Sequence, residues 1–325
     1  MMGTGTVALV TGGGGFIGSA LVKRLLRDGQ SVRVLDNFAT GRRANLEDVI
    51  DDIQLIEGDL QSYERVHNAV RGCDYAFHLG ALPSVPRSIQ DPLTSNATNV
   101  VGTLNVLLAA RDEGVRRVVY ASSSSLYGAS TELPKREEMP TLPIAPYAVS
   151  KLAAEGYCRA FHQVYGLETV ALRYFNVFGP GQDPQSQYAA VIPNFITAAL
   201  EDGGRPIVHG DGETSRDFTF VDNAVDANLL AATAAGAAGE AFNIACGERT
   251  SLNDIIARLS ALAGREIETV NTDPRPGDVR HSLADISKAR EVLGYAPAVD
   301  FEEGLRRTYA EFEERWQREA LDSAC

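Results

Sequence analysis

Tyr147 and Lys151 stand four residues apart in a stretch, 147–165, that no proline interrupts. Apolar and small residues recur through it at helical spacing, so it reads as a long helix with Pro146 suited to its first turn. Residues i and i+4 share a helix face, which puts a phenol beside an ammonium. A free tyrosine ionises near pH ~10, and a neighbouring cation favours the phenolate. The spacing therefore predicts a proton-transfer group working near neutral pH. A surface Tyr and Lys sharing a helix by chance would show the same spacing, so the surroundings must decide. Four hydroxyls, Ser122 to Ser125, precede the pair and follow an apolar strand pattern at 116–121. Open α/β sheets place their chemistry at strand C-terminal ends. At least one of these serines is expected to face the site.

The elements that would position them alternate. Residues 7–10 form a short apolar strand pattern, followed by Gly12-x-x-Gly15-x-x-Gly18 and a helix pattern over 19–27. Glycines let backbone N–H groups approach a pyrophosphate, and the helix N-terminus adds partial positive charge. The next strand, 31–35, ends in Asp36, an acid placed to bond ribose hydroxyls and repel a 2′-phosphate. NAD is thus expected rather than NADP. Further strand patterns lie at 53–56, ahead of Asp59 and Leu60, at 75–79, ahead of Gly80 and Ala81, and at 169–173. Helix patterns fall at 63–70 and 96–110. The crossover rule then gives an α/β fold with a doubly wound, Rossmann-type parallel sheet. His78, at a strand end, reads as structural.

After Asn176 the alternation loosens. Helix patterns run over 191–200, from an Asp222 cap to about 235, from a Ser251 cap to about 263, and over 285–293 and 301–316. Strands are expected at 207–208, 218–221 and 241–244. Residues 1–177 are read as the dinucleotide domain, with 216–238 packing back onto it, and 178–325 as a smaller α/β lobe. Arg216 and Arg275 each precede an aspartate, Asp217 and Asp278. They suit either structural ion pairs or forks on a diphosphate.

The chain has 325 residues, 44% hydrophobic and 22% charged, with formal net charge −13. That balance disfavours general nucleic-acid binding, which wants a basic face, yet allows a local anion site at a helix N-terminus. The four cysteines and five histidines show no metal-ligand spacing, and no metal is expected. No signal-peptide pattern or membrane-length apolar run is seen, so a cytoplasmic protein is expected.

In this order, Thr11-Gly-Gly-Gly-Gly-Phe-Ile-Gly18, Asp36-Asn37, Asp59-Leu60, His78-Leu-Gly-Ala81, the serine run, Tyr147-x-x-x-Lys151 and Arg173-Tyr-Phe-Asn176 resemble the extended short-chain dehydrogenase/reductases over nearly the whole chain. Within them the sequence is most similar to the nucleotide-sugar 4-epimerases, and among these to the bacterial UDP-N-acetylglucosamine 4-epimerases. Ser84-Val-Pro-Arg-Ser88, Tyr188-Ala-Ala-Val-Ile-Pro193, Gly210-Asp-Gly-Glu-Thr-Ser-Arg-Asp217 and Gly277-Asp-Val-Arg-His-Ser-Leu-Ala-Asp-Ile286 carry that likeness. The resemblance implies that Tyr147 takes the sugar O4 proton, that Lys151 lowers its pKa and holds the nicotinamide ribose, and that Ser123 bonds the 4-oxygen. It implies NAD contacts from Gly12, Gly15, Phe16, Ile17, Asp36 and Asn37. Gly41, Asp59, Leu60, Leu79, Ala81 and Asn99 follow, with Ser122, Tyr174 and the catalytic pair itself. It implies UDP-sugar contacts from Ser84, Ser123, Ser124, Tyr147, Asn176 and Ala190, and from Val191, Phe195, Arg216, Arg275 and Ser282.

Ser282 falls at the family's gatekeeper position, where a bulky tyrosine excludes an N-acetyl group and a small side chain admits it. Gly80 departs from the family, where alanine is commoner. Related dehydratases carry an Asp-Glu pair at the positions of Ser124 and Ser125, and decarboxylases a glutamate; here only hydroxyls stand. The resemblance thus implies reversible 4-epimerisation of UDP-GlcNAc/UDP-GalNAc or UDP-Glc/UDP-Gal. Alternatives are a UDP-glucuronate 4-epimerase, a net dehydrogenase and a non-catalytic NAD-binding regulator. A homodimer through helices at 94–111 and 146–165 is a family expectation.

Overall fold

The computed structural model describes residues 2–3, 5–183, 191–201, 203–273 and 279–323, with side chains to 319. β1 (Val7–Thr11) feeds the glycine turn and α1 (Phe16–Arg27). β2 (Ser31–Asp36), β3 (Ile53–Glu57), α2 (Tyr63–Val70) and β4 (Tyr75–His78) follow. A helical rod begins at Pro92–Asn96, widens into a π turn at Ala97–Val101 and continues as α3 (Gly102–Asp112). β5 (Arg117–Ser123), α4 (Pro146–Tyr165) and β6 (Glu168–Tyr174) complete the alternation. Later come α5 (Val191–Leu200), α6 (Val221–Thr233), β7 (Ala241–Ile244), α7 (Leu252–Ala263) and α8 (Phe301–Ser323).

The seven strands form one sheet in the order β7-β6-β5-β4-β1-β2-β3, with every pairing parallel. Strands buried on both faces need continuous apolar runs, which Ala8, Leu9, Val10 and Val118, Val119, Tyr120 supply. One face is covered by α1 and α6. The alanines Ala224, Ala227 and Ala231 bring α6 in close, over a core with Leu21, Val22 and Leu25. α2, α3 and α4 cover the other face through Val66, Val106, Leu107 and Phe161. From the middle of the sheet β1, β2 and β3 run toward one edge, and β4, β5, β6 and β7 toward the other, which leaves a crevice at the carboxyl ends of β1 and β4.

A second, smaller core gathers Phe178, Phe195, Phe218, Ile255, Leu259 and Phe301. Short strand pairs stitch this lobe: Val177–Phe178 with Thr219–Phe220, Ser215–Arg216 with Thr250–Ser251, and Ile207–His209 with Val270–Thr272.

Local readings changed in a few places. β7 follows the lobe's first half in sequence yet hydrogen-bonds to β6 in the main sheet. Asp222 lies in the first turn of α6, and Phe220 holds the N-cap position without a side-chain bond. The expected strand at 218–221 shrinks to Thr219–Phe220, because Val221 already starts that helix. Ser251 does cap α7, through a box with Asp254. Val270–Thr272, exposed at all three positions and without an alternating pattern, gave no strand signal. No helix among the described residues is long and apolar enough to cross a membrane.

Candidate active site

β5 runs two residues further than its apolar pattern, so Ser122 and Ser123 are sheet residues paired with Arg173 and Tyr174. Ser123 then caps a 3-10 turn, Ser124–Tyr127, and its Oγ accepts from Ser125 N at 3.2 Å and from Ser125 Oγ at 2.9 Å. With both acceptor sites of that oxygen engaged, its own proton is free to turn toward the Tyr147 phenol, whose ionised form Ser123 favours. Tyr147 is further anchored by its N–H, which donates to Ser88 Oγ at 3.0 Å.

The phenol behaves otherwise than its spacing from Lys151 suggested. Burial pushes Tyr147 above the ordinary tyrosine value, and only the Ser123 hydrogen bond works in the opposite direction. The lysine Nζ lies 6.0 Å from the Tyr147 ring centre and donates to the Ala121 carbonyl at 2.8 Å. It also sits 5.1 Å from the Tyr120 ring centre. Lys151 is only 3% exposed, and burial pulls its own pKa down to about 8. In the protein alone, desolvation of the phenolate outweighs the attraction of a cation already turned to a carbonyl. His78 is walled in between Thr11 Oγ1 at 2.7 Å and Thr103 Oγ1 at 2.9 Å. Burial, with the nearby Lys151, drops its pKa to about 3, so it is a neutral structural residue.

Tyr147 and Lys151 open into a cleft of about 700 Å³ along the crevice of the sheet. Gly12, Gly15, Phe16 and Ile17 line one wall, and Asp36, Asn37, Gly41, Asp59 and Leu60 line the far end. Leu79, Ala81, Ser84, Ser122 and Tyr174 complete the expected set. Gly12 has φ +70°, and a Cβ there would stand 2.7 Å from the Gly80 backbone. Gly80 is itself crowded: a Cβ would meet Leu60 Cδ1 at 2.8 Å, so its glycine lets Leu60 move inward rather than widening the cleft. Asp36 accepts from Gly14 N and Phe38 N, each at 2.8 Å. These bonds fix the carboxylate at the cleft floor. Asn37 Nδ2 donates to Asp59 Oδ2 at 2.8 Å, closing the end.

Asn99 does not reach the cleft. It is buried in the π turn, where its amide clamps both backbone groups of Leu82, at 2.7 and 3.1 Å, and donates to Ser150 Oγ at 3.0 Å. It shapes the cleft wall through Leu82. A second cavity, about 520 Å³, lies in the lobe. Asn176, Val191, Phe195 and Arg216 line it, as do Phe178 and Phe218. Asn176 has φ +35°, a conformation asparagine tolerates better than most residues. The Asp217 carboxylate turns to the N–H groups of Cys246, Gly247 and Ala284. Ser282 lines neither cavity; its N–H donates to Ser215 O at 3.0 Å, one residue from Arg216. Ser124 also lines neither. Ala190 and Arg275 lie outside the described residues.

Sequence reasoning passed over Arg87, Thr40 and Gln61 in the cleft and His209 and Thr214 in the lobe cavity. Arg87 and Thr214 had a signal, since they belong to the Ser84–Ser88 and Gly210–Asp217 motifs; the others stand in stretches without one.

A family model described as "NAD dependent epimerase/dehydratase family" matches residues 8–245. The chain belongs to this family. A UDP-glucose 4-epimerase from Mycolicibacterium smegmatis is 39% identical over 95% of this chain and 99% of the relative. The structure of a UDP-N-acetylglucosamine 4-epimerase from Methanobrevibacter ruminantium M1, in complex with UDP-N-acetylmuramic acid, is 40% identical. It covers 96% of this chain and all of that one, with TM-score 0.91. A UDP-glucuronic acid 4-epimerase from Bacillus cereus, in complex with UDP-glucuronic acid and NAD, is 30% identical. There the coverage is 95% and 100%, with TM-score 0.88.

The family's cofactor is NAD, and the cleft suits it. A Cβ at Gly12 would fill the space beside Gly80, and the first-turn N–H groups of α1 lack intrahelical partners. An acid, Asp36, stands where a 2′-phosphate would be repelled.

One prediction concerns the buried lysine. Below about pH 8 folding buries a charge that the unfolded chain keeps in water. Between about pH 8 and the ordinary lysine value the unfolded chain binds the extra proton, so stability rises with pH there. Replacing Lys151 with Met should therefore stabilise the fold at pH 7 by ~1–3 kcal/mol, a gain that shrinks as pH climbs through that window. Urea unfolding at a series of pH values measures it.

Proposed function

We propose that this chain reversibly inverts C4 of a UDP-hexose, with UDP-GlcNAc/UDP-GalNAc the preferred pair and UDP-Glc/UDP-Gal the second. The observation that carries this reading is the Tyr147 phenol, beside Lys151, opening into the cleft that Gly12 and Asp36 line. Bound NAD supplies a hydride acceptor that returns what it takes. Tyr147 takes the O4 proton and gives it back, and Ser123 orients the 4-oxygen. Lys151 braces the end of β5 and offers a cation to the ribose side of the cleft. Ser124 and Ser125 bring hydroxyls where elimination chemistry would need carboxylates. Arg216 and Asn176, in an aromatic cavity that begins two residues beyond Tyr174, hold UDP while the keto sugar turns. Ser282 leaves room for an N-acetyl group.

A uronic acid substrate is the second reading. Arg87 lines the cleft and has no acidic partner among the described residues, so a sugar carboxylate could engage it.

We further infer a homodimer. On α4 the half-buried or exposed Val149, Ala153, Gly156, Tyr157, Ala160 and Val164 recur at helical spacing. Leu93, Ala97 and Val101 extend this apolar face on the rod that packs along α4. Leu93 is 82% and Val164 70% exposed, and such a continuous patch suits a second copy of the same chain.

Incubation with UDP-GlcNAc, UDP-Glc and UDP-glucuronate, with chromatographic separation of the isomers, tests the assignment. NAD binding without turnover of any of them would favour a regulator. Tyr147→Phe should lower kcat about 10³-fold while NAD stays bound; near-native turnover would remove Tyr147 as the base. Ser282→Tyr should spare UDP-Gal and abolish UDP-GalNAc turnover, whereas equal losses on both would undo its role in selectivity. In sedimentation the chain should run at twice 34.9 kDa, and Leu93→Glu/Val164→Glu at the single mass. A native chain already at the single mass rules the dimer out.

A further inference from the structure

Glu155 lies on the same face of α4 as Tyr147 and Lys151, one further turn along. Three consecutive residues at the end of β5 meet these three side chains. The Ala121 carbonyl accepts from Lys151 Nζ at 2.8 Å, Ser122 Oγ donates to Glu155 Oε2 at 2.6 Å, and Ser123 is the side chain that favours the Tyr147 phenolate. Glu155 Oε1 also takes Arg173 Nη2, on the neighbouring strand β6, at 2.6 Å. Arg173 Nη1 donates to Tyr127 Oη at 2.8 Å, which in turn donates to Asn243 Oδ1, on β7, at 2.7 Å. The ion pair is deeply set, with 7% and 12% of the two side chains exposed. Glu155 lines neither cavity.

We propose that Glu155 is a positioning residue, which sets the height of the Tyr147–Lys151 face against the end of β5 and so keeps the phenol in register with Ser123. The proposal rests on the reading of Tyr147 as the base. Apolar burial between helix and sheet is non-directional and does not fix where along its axis the helix sits. A hydrogen bond between oxygens, in contrast, weakens within a fraction of an ångström. One residue of helix is 1.5 Å of rise, so a slip smaller than that separates phenol from serine. A carboxylate that grips both a strand hydroxyl and a guanidinium on the next strand supplies the missing directional restraint.

Removing Glu155 alone would strand the Arg173 charge in the interior and unfold the chain for an unrelated reason. The decisive variant is therefore Glu155→Leu/Arg173→Met, which removes both charges at similar volume, with Ser122→Ala as a second route that leaves the ion pair in place. Both should melt within a few degrees of the native chain and bind UDP, the probe used here, with unchanged affinity. Their kcat should fall by about ten-fold or more with KM little changed, and Ser122→Thr should restore it. Crystal structures of the variants, set against that of the native chain, should show Tyr147 Oη displaced along the helix axis from its native position relative to Ser123 Oγ. Retention of the native Tyr147–Ser123 spacing, a kcat within about two-fold of native, or a loss explained wholly by lowered stability would overturn the proposal. The crystallographic arm needs no turnover, so an inactive native chain would count against the epimerase reading and leave this one to be decided by the Tyr147–Ser123 distance.

Discussion

In the reading proposed above, a phenol must stand where its proton can leave, which requires holding α4 against the end of β5 to within a fraction of an ångström. Lys151 on the Ala121 carbonyl and Glu155 on Ser122 act at two points of the helix face that also carries Tyr147. Each partner comes from the same three-residue strand end. That strand end stands one strand away from the crevice between β1 and β4, and Ala121 and Ser122 line the cleft there.

This arrangement carries an electrostatic cost. A lysine and a tyrosine that would ionise freely in water are both buried, and burial moves each toward its neutral form. The cation does not lower the phenol's value in the protein alone, because its nearest partner is a carbonyl. Hydroxyl donors relayed from Ser125 through Ser123 are what favour the phenolate. A positively charged nicotinamide in the cleft would add attraction of the same sign. The surrounding interior answers with paired groups: His78 between two threonines, Asp217 on three backbone N–H groups, Glu155 on Arg173.

The lobe divides the labour. Its cavity is lined by Phe178, Phe195 and Phe218 with Arg216 and Asn176 at hand, a mixture suited to a flat ring and its anionic tail. The β7 strand and α6 return to the main sheet between the lobe's two parts, so the lobe is attached at several points rather than by one linker. The residues that line the lobe cavity and Tyr147 thereby share one frame.

What the sequence determined by itself was the part written in local periodicity and local motif. Strand, glycine turn and helix, the acid at Asp36, and the i, i+4 pair Tyr147–Lys151 all follow from spacing, since a helix face or a tight turn is set by neighbours in the chain. The alternating order also gave the parallel sheet. Tertiary structure alone decided what depends on residues distant in sequence. Asn99 turned inward to clamp Leu82, β7 joined the main sheet, and Ser282 came to lie beside Ser215. The direction of the Tyr147 shift was likewise invisible from spacing, because burial is a property of the whole fold and outweighs a cation that has found another partner. Glu155 was legible as one more helical residue; its grip on Ser122 and Arg173 joins three elements, and only their packing brings them within reach.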